Sequence, residues 1–298
     1  MVRELNYLEI IKQEIGTKYI GDDCAYLKEL GLVVSQDSLV EDVHFKKEWY
    51  TAYQLGYKAI SVNISDILAS GAKPSYATIA LSLPKNLDEN FVKDFYKGVK
   101  AGLCGAEIIG GDITGADKIY ISITVFGSDK GRKISSRKNA KVGYSVITKG
   151  VYGASSRGLA NLFGGNNGGI EVKKHIEPSL DIGFSKMIAQ SVNKDYAMMD
   201  TSDGLADALF KIAKASGVKI KVDYEKIAGA DLYSYKEVML GGEDYNLVAV
   251  VPKETLQYIE EYDLIGEVLP KDDSVVLVVG NKKYSRYDEL GVYNHFGE

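Results

Sequence analysis

The sequence predicts a fold of layered helices and sheets, because segments of two periodicities alternate along the chain. Tyr76–Leu83 and Ile119–Phe126 approximate the two-residue alternation of strands with one apolar face. In Leu205–Ser216 the apolar residues instead recur on one side of a helix. A chain of 298 residues corresponds to two domains of ordinary size or to one large domain. Such a chain can bury enough apolar surface to fold without disulfides or a structural metal.

The predicted elements follow from these periodicities. The strand candidates are Gly31–Gln36, Tyr76–Leu83, Ile119–Phe126, Tyr144–Thr148, Asn246–Val251 and Val275–Val279. The helix candidates are the amphipathic amino terminus, Ala52–Ser70, Glu89–Leu103, Ser179–Val192 and Leu205–Ser216. Between residues 126 and 144 the chain is polar, basic and rich in turn formers, and we place a domain boundary there. The predicted domains are residues 1–137 and 138–298.

Composition excludes several classes of protein. The 36 basic and 41 acidic residues give a net charge of −5, which argues against a nucleic-acid partner. We find no apolar run near the ~20 residues of a membrane span, and the amino terminus does not resemble a signal peptide. We therefore expect a cytoplasmic protein that binds no membrane. Cys24, Cys104 and three scattered histidines match neither a cysteine zinc site nor an HExxH site.

Acidic residues recur in one sequence context. Asp66 lies among apolar residues of a predicted helix, and five other acidic segments each end an apolar or extended stretch with a turn containing glycine or serine. These segments are Tyr19–Asp23, Val33–Ser38, Ile108–Asp112, Met198–Gly204 and Val238–Asp244. Taken singly, each is ordinary turn chemistry, and Asp203 could simply cap a helix. Taken together, they predict a shared pocket if the turns converge.

A pocket with about six carboxylates and few basic partners requires compensating cations, because neighbouring like charges raise each other's pKa. Oxygen ligands without cysteine or paired histidine favour Mg²⁺. The glycines before Asp112 and Glu243 let the backbone approach a phosphate. The residues alone thus predict metal-dependent phosphoryl transfer. The sequence contains no P-loop, protein-kinase or Rossmann signature, and Gly153–Gly158 (GASSRG) is equally a weak phosphate loop or an ordinary turn.

Six motifs occur in order along the chain and are followed by a terminal GVYNHF. The motifs are IGDDCA, DSLVEDVHF, YKAISVNISDILASGA, GGD, MDTSDGL and GGEDYNL. In this order they resemble the thiamine-monophosphate kinase family, within the superfamily of aminoimidazole ribonucleotide synthetase. The resemblance runs from about residue 19 to the end of the chain.

The resemblance implies an α+β fold of two α/β-layered domains of the synthetase type. It implies that the N-terminal domain pairs with its twin through its sheet in a homodimer, with the active site near the interface. The implied reaction is ATP-dependent phosphorylation of thiamine monophosphate to thiamine diphosphate. The phosphoryl group would pass directly between substrates, assisted by several Mg²⁺ ions, so catalysis would be mostly positioning and charge neutralisation.

The resemblance also assigns residues, among which Asp66, Asp112 and Asp203 would be catalytic. The implied metal ligands are Asp23, Ser35, Gln36, Asp37, Asp66, Asp112, Asp200 and Asp203. The implied nucleotide contacts are Tyr96, Gly111, Asp112, Arg137 and Ser202, and the implied contacts to thiamine phosphate are His44, Glu243 and Tyr293. The family usually has Ser-Thr-Asp where this chain has Ser35-Gln36-Asp37. A metal contact through the backbone carbonyl survives that change, and one through the hydroxyl does not.

Other interpretations remain open at this point. A selenophosphate synthetase would need a reactive cysteine near the start of the chain, but Cys24 follows GDD and no glycine-rich Cys/Lys segment precedes it. A hydrogenase-maturation dehydratase would end in cysteine, whereas this chain ends in HFGE. An aminoimidazole ribonucleotide synthetase is harder to exclude. A non-catalytic nucleotide-binding relative would bind ATP without substrate-dependent ADP release. The intact set of acids argues against it, because unpaired carboxylate clusters cost stability. Arg137 could be a solvated surface charge, and His44 a packed side chain beside Phe45.

Overall fold

A five-stranded sheet occupies the first half of the chain in this computed structural model, which describes residues 3–271 and 274–293. Its strands are β1 (Ala25–Leu27), β2 (Leu32–Val40), β3 (Lys73–Leu83), β4 (Glu107–Gly115) and β5 (Tyr120–Ser128). The spatial order is β1-β2-β5-β3-β4, and only the β3–β4 pair is parallel. One face is apolar because residues such as Ile121, Ile123 and Val125 are buried at every second position.

Three helices belong to this half: α1 (Arg3–Ile15), α2 (Ala52–Ala69) and α3 (Glu89–Gly102). A capping box of Thr51 and Gln54 starts α2. Two glycines let α2 and α3 pack closely. A Cβ atom on Gly56 of α2 would collide with the carbonyl of Phe95, and one on Gly98 of α3 with the carbonyl of Tyr53. Among the described residues, none of the helices is both long and apolar enough to cross a membrane.

A seven-stranded sheet forms the second half, in the order β12-β11-β8-β10-β6-β9-β7. Its strands are β6 (Ser145–Thr148), β7 (Ala197–Asp200), β8 (Lys219–Val222), β9 (Leu247–Val251), β10 (Asp263–Leu269), β11 (Leu277–Val279) and β12 (Lys282–Tyr284). Its helices are α4 (Ala154–Phe163), α5 (Ile170–Ile176), α6 (Ile182–Ser191) and α7 (Leu205–Ser216). The chain leaves the first sheet at Ser128 and enters the second at Ser145. The predicted boundary at residue 137 falls in this segment and stays a prediction.

The two halves share a continuous core, and α2 lies at its centre. Alternate residues of β9 point to opposite sides of the second sheet. Leu247 and Ala249 join the cluster that contains α2 and the first sheet, whereas Val248 and Val250 join the cluster around α7. Thirteen of the eighteen residues of α2 are buried, so this helix has almost no solvent-facing side. Side chains on α2 can therefore reach both halves of the molecule.

The predicted interior helices are confirmed, with ends that differ by at most three residues, and the predicted strands are present with shifted ends. Two predicted turns were wrong. Ser35–Ser38 lies inside β2, because the ladder with β5 continues to Val40. Gly110–Asp112 lies inside β4, because β3 pairs with it as far as Gly115. The sequence analysis missed six strands and the helices α4 and α5. The missed strands are β1, β4, β7, β8, β10 and β12, of which all but β8 and β10 lie at the edge of a sheet.

Candidate active site

Three carboxylates from distant parts of the chain converge at the junction of the two halves. Asp23 lies just before β1, Asp66 lies near the end of α2, and Asp200 ends β7. One oxygen from each lies within 4.8 Å of the others. The predicted convergence is therefore observed for these three acids, and it is produced by α2, which brings Asp66 against the end of β7.

Neighbouring groups hold each carboxylate in place. The Ser35 hydroxyl donates to Asp66 Oδ2 at 2.5 Å, and the Ser65 hydroxyl donates to Asp200 Oδ2 at 2.6 Å. Arg137 donates from its guanidinium to Asp23 Oδ1 at 2.5 Å. Because these bonds fix the oxygens independently of any ligand, the three carboxylates are preorganised rather than flexible.

The protein compensates the negative charge of this cluster only in part. Burial raises the pKa of Asp66 well above its usual range, and the charges of Asp200, Asp37 and Asp23 raise it further. Burial, followed by the charge of Asp23, likewise raises the pKa of Asp200 to about 7. A bound cation would reverse these shifts by favouring the charged carboxylates. The oxygen donors, together with Ser35 and the partly buried setting, suit a hard divalent cation such as Mg²⁺.

Two other predicted metal ligands, Asp37 and Asp203, lie close to the cluster. Asp37 lies close enough to Asp66 to raise its pKa, and its backbone N–H donates to Asn63 Oδ1 of α2 at 2.8 Å. Asp203 follows β7 in the same turn as Asp200, but its carboxylate pairs with Lys211 Nζ at 3.3 Å. Lys211 also pairs with buried Asp207 at 2.8 Å. Asp203 thus borders the cluster without belonging to it, and it does not cap α7.

Asp112 and Gln36 lie on the other face of the first sheet. Asp112 of β4 pairs with exposed Ala80 of β3. Its neighbour Gly111 belongs to a row of paired residues across the sheet that continues through Ile79 and Ile123 to Asp37. Because neighbouring positions in a strand point to opposite faces, the Asp112 side chain points away from that of Asp37. The Gln36 side chain shares this outer face, where it accepts from the Thr124 hydroxyl at 2.9 Å. Within one chain, neither side chain joins the acid cluster.

The predicted nucleotide contacts fall in two places: Ser202 and Arg137 border the acid cluster, whereas Gly111 and Tyr96 lie on β4 and α3. Ser202 follows Asp200, and its hydroxyl donates to that carboxylate at 3.4 Å. Arg137 is largely buried, with 19% of its side chain exposed, so it is not the solvated surface charge that its basic neighbourhood allowed. Gly111 lies on exposed strand β4, where a Cβ would collide with the carbonyl of Ile79. Tyr96 lies on α3, half-buried, with its ring edge-on to Phe95.

A second charged group surrounds Glu243, the predicted substrate contact. Glu243 has a left-handed backbone (φ 64°), and its N–H donates to the carbonyl of Ser202 at 2.7 Å. Buried Lys58 of α2 donates to Glu243 Oε2 at 3.2 Å, and His175 Nδ1 lies 3.2 Å from the same oxygen. Burial alone would raise the pKa of Glu243, but Lys58, His175 and His44 together lower it. Glu243 is therefore ionised at neutral pH.

The remaining predicted substrate contacts are placed differently. His44 accepts a hydrogen bond from the Val40 N–H through Nδ1 at 3.0 Å and lies close enough to Glu243 to affect its pKa. Tyr293 lies near the carboxyl terminus with 61% of its surface exposed. The residues that follow it, 294–298, lie outside the described part of the chain, so most of the terminal motif is not placed.

Lys58, His175 and Lys211 were missed by the sequence analysis, which identified Asp244 only as the end of an acidic segment. The only sequence signal for Lys58 was a charged residue within the apolar helix Ala52–Ser70. Asp244 settles the role of the GASSRG segment, because its carboxylate accepts from the N–H groups of Gly153 and Ser155 at 2.7 and 2.9 Å. Those groups begin α4, so a protein carboxylate caps the start of this helix and the segment is no open phosphate loop. Burial still raises the pKa of Asp244 to about 6.

Comparison with known proteins agrees with this arrangement. The chain matches the N-terminal domain of the AIR synthase related proteins over residues 21–128 and their C-terminal domain over residues 184–279. It is 34% identical to the thiamine-monophosphate kinase of Aquifex aeolicus, over 94% of this chain and 95% of that protein. The chain belongs to the thiamine-monophosphate kinase family. A second member, from Bacillus subtilis, is 33% identical over 93% of each chain.

The fold of this family member is confirmed by a solved structure. The complex described as AaThiL with AMPPCP and TMP superimposes with a TM-score of 0.85, at 32% identity, and the match covers 95% of each chain. The predicted α+β fold of two synthetase-type domains is therefore correct. The identity of 33–34% to the kinases named above favours this family over the synthetase, selenophosphate and dehydratase alternatives that the sequence left open.

We expect Asp66→Asn to stabilise the metal-free protein, because it removes one of three mutually repelling carboxylates without changing core volume. The expected rise in Tm is about 2–4 °C, equivalent to about 1 kcal/mol in a protein of this size. In the wild type, added Mg²⁺ should raise Tm by binding the folded state, and Asp66→Asn should abolish that rise. Differential scanning calorimetry with EDTA and with Mg²⁺ measures both effects.

The matched control is Asp94→Asn on the solvent side of α3, where the half-exposed carboxylate pairs with Lys97 at 2.7 Å. This variant should keep the wild-type Tm and the wild-type response to Mg²⁺. A lower Tm for metal-free Asp66→Asn, or an unchanged response to Mg²⁺, would contradict the cation site.

Proposed function

We propose that this protein transfers the γ-phosphoryl group of ATP to thiamine monophosphate, forming thiamine diphosphate and ADP. Family membership over nearly the whole chain supports the reaction, and the relative bound to AMPPCP and TMP supports the two substrates. The observation that carries the proposal is the preorganised cluster of Asp23, Asp66 and Asp200, which is under-compensated by the protein itself. The use of ATP fits the cytoplasmic location expected from the sequence.

The acid cluster is the part of the site that would hold several Mg²⁺ ions. Asp23, Asp66 and Asp200 supply carboxylates that already lie together, and Asp37 and Asp203 border them. Bound there, Mg²⁺ would neutralise the charge of the phosphates that meet in the transfer. Ser35 and Ser65 keep the carboxylate oxygens oriented by donating hydrogen bonds to them.

The nucleotide would lie beside this cluster. Arg137 is the proposed phosphate contact, because its guanidinium is held at the edge of the cluster by Asp23. Ser202 is placed next to Asp200, and Gly111 offers a backbone without a side chain on β4. Asp112, which within one chain lies on the other face of the first sheet, and Tyr96 complete the proposed set. With no covalent enzyme intermediate, the role of these residues is to bring the two phosphates into line.

Glu243 and His44 would bind the acceptor. Lys58 and His175 hold Glu243 Oε2, and 28% of the Glu243 side chain is exposed. We assign its other oxygen to an N–H donor such as the amino group on the pyrimidine of thiamine. His44 accepts through Nδ1 from the backbone, which places the proton of the neutral ring on Nε2, and we assign this residue to the phosphate of the acceptor. Tyr293 is the third proposed contact.

The direct test incubates the purified protein with ATP, Mg²⁺ and thiamine monophosphate and measures thiamine diphosphate by chromatography. Free thiamine serves as a second acceptor. We expect product from the monophosphate and none from thiamine. Asp66→Asn should lower turnover by about 100-fold or more, because loss of a metal ligand removes several kcal/mol of charge stabilisation. Detectable ATP binding without product would favour a non-catalytic relative, and equal turnover by Asp66→Asn would refute the metal mechanism.

Glu243→Gln should act mainly on the acceptor. Removing the charge leaves the shape of the side chain but weakens its hydrogen bonds to an N–H donor, so kcat/KM for thiamine monophosphate should fall by about 10-fold or more. KM for ATP should change little, since the nucleotide contacts lie elsewhere. Steady-state kinetics with each substrate varied in turn separates the two. A defect confined to ATP would show that Glu243 serves the other ligand.

A homodimer formed through the first sheet is also proposed. Strand β4 is an edge strand with all nine residues exposed, and its apolar residues Ile109 and Ile113 are 58% and 62% exposed. A long, open, apolar edge is normally covered by another chain. Pairing of two such edges would cover these side chains and would bring Asp112 to the subunit interface.

Multi-angle light scattering should give the wild type a mass twice that of one chain. Ile109→Lys should shift the protein to the monomer, because it places a charge in the proposed interface. Ile170→Lys is the matched control, since Ile170 is equally exposed (62%) but lies on α5 in the other half. A monomeric wild type, or equal behaviour of the two variants, would refute the dimer through β4.

A further inference from the structure

Lys58 is a completely buried cation with no role in the proposed reaction. It lies on α2 with 0% of its surface exposed. Its ammonium group donates to Tyr50 Oη at 3.0 Å, to the carbonyl of His175 at 3.0 Å and to Glu243 Oε2 at 3.2 Å. An ammonium has three donors, so each of them has a partner. The group is therefore fixed in one orientation and cannot turn towards a substrate without losing a bond.

The charge of Lys58 is matched to that of Glu243. Burial alone would lower the pKa of Lys58, but Glu243 and Tyr50 outweigh it and raise the pKa. Burial and the charge of Lys58 lower the pKa of His175 to about 4, so that His175 is neutral at pH 7. Of the two groups that touch Glu243 Oε2, it is Lys58 that carries the positive charge. A buried charge pair of this kind costs much more when one partner is removed than when both are.

The backbone of Glu243 is fixed as firmly as its side chain. Its left-handed conformation (φ 64°) is uncommon for a residue with a side chain, and Tyr245 shares it (φ 52°). The Glu243 N–H is held by the carbonyl of Ser202, which belongs to the turn after Asp200. The side chain and the backbone of Glu243 are thus bonded to α2 and to the turn after Asp200, which both also carry the acid cluster.

Helix α2 connects the two sites. Lys58 and Asp66 are eight residues apart on this helix, which corresponds to about 12 Å along its axis. The helix is buried along its length, so the distance between the Glu243 carboxylate and the acid cluster is set by a rigid element. Exposed loops would not fix that distance so closely.

We infer that Lys58 is a positioning residue that holds the Glu243 carboxylate at a fixed distance from the acid cluster. The acceptor bound by Glu243 then presents its phosphate to the metal site. This inference rests on the proposed function and adds to it a residue that touches no substrate and acts only through Glu243.

A double-mutant cycle tests the inference. Lys58→Met keeps the length of the side chain and removes the charge, and it should lower kcat/KM for thiamine monophosphate by about 30-fold or more. KM for ATP should change by less than about 3-fold, because Lys58 contacts none of the proposed nucleotide-binding residues. Added to Glu243→Gln, Lys58→Met should cause less than about 3-fold further loss, because its effect passes through the carboxylate already altered.

Two further variants make the cycle decisive. Tyr50→Phe removes one partner of Lys58 and leaves the ion pair, so it should fold even if Lys58→Met does not. It should lower kcat/KM for the acceptor by about 3- to 10-fold, with no effect on KM for ATP. Lys194→Met is the surface control, because Lys194 pairs with Glu254 on the exterior with 58% of its side chain exposed. This control should keep wild-type kinetics.

The outcomes separate the inference from the proposed function. Suppose that the wild type forms thiamine diphosphate but that the loss caused by Lys58→Met multiplies with the loss caused by Glu243→Gln. This result would overturn the inference alone. So would equal losses for ATP and acceptor, or a Tyr50→Phe variant with wild-type kinetics. A wild-type chain that forms no thiamine diphosphate would overturn the proposed function and the inference with it. An acceptor-specific loss that is absent in the Glu243→Gln background supports the inference.

Discussion

The burial of helix α2 between the two halves is the constraint on which the rest of the structure depends. The helix packs on the first sheet and α3 on one side, and on β7 and α6 on the other. Nearly every residue on it is therefore enclosed, and the polar ones must find partners inside the protein. Asn63, Ser65 and Asp66 do so around the acid cluster, and Lys58 does so at Glu243. One buried helix thus supplies polar groups to both parts of the site.

The two charged groups on this helix are balanced in different ways. Lys58 is neutralised by Glu243 within the protein, so the pKa shifts of both residues favour their charged forms. Within the described part of the chain, the side-chain donors to Asp66 and Asp200 are hydroxyl groups, and burial and neighbouring carboxylates raise their pKa values. The charge of Lys58 is thus balanced inside the protein, whereas the charges of Asp66 and Asp200 are left for a ligand to balance. The stability that the acid cluster costs is offset by the apolar core around it.

Much of the site could be predicted from the sequence because its residues stand in short motifs. Asp23, Asp66 and Asp200 were each identified from local context, and the structure brings all three together. The same context predicted turns at Ser35–Ser38 and Gly110–Asp112, and both predictions were wrong, because strand pairing with β5 and β3 overrides the local preference of these residues. Lys58 was missed because two of its three partners lie 117 and 185 residues away.

The sequence by itself determined the longer helices, about half of the strands, the family and most of the acidic residues, since these depend on periodicity and on motifs only a few residues long. Only the tertiary structure decided which acids meet. Asp112 and Asp37 occupy equivalent-looking motifs, yet strand register places their side chains on opposite faces of one sheet. Ion pairs such as Lys58–Glu243 were likewise decided by packing. The physical reason is that contacts across a sheet or between helices depend on register and burial, which no local stretch of sequence contains.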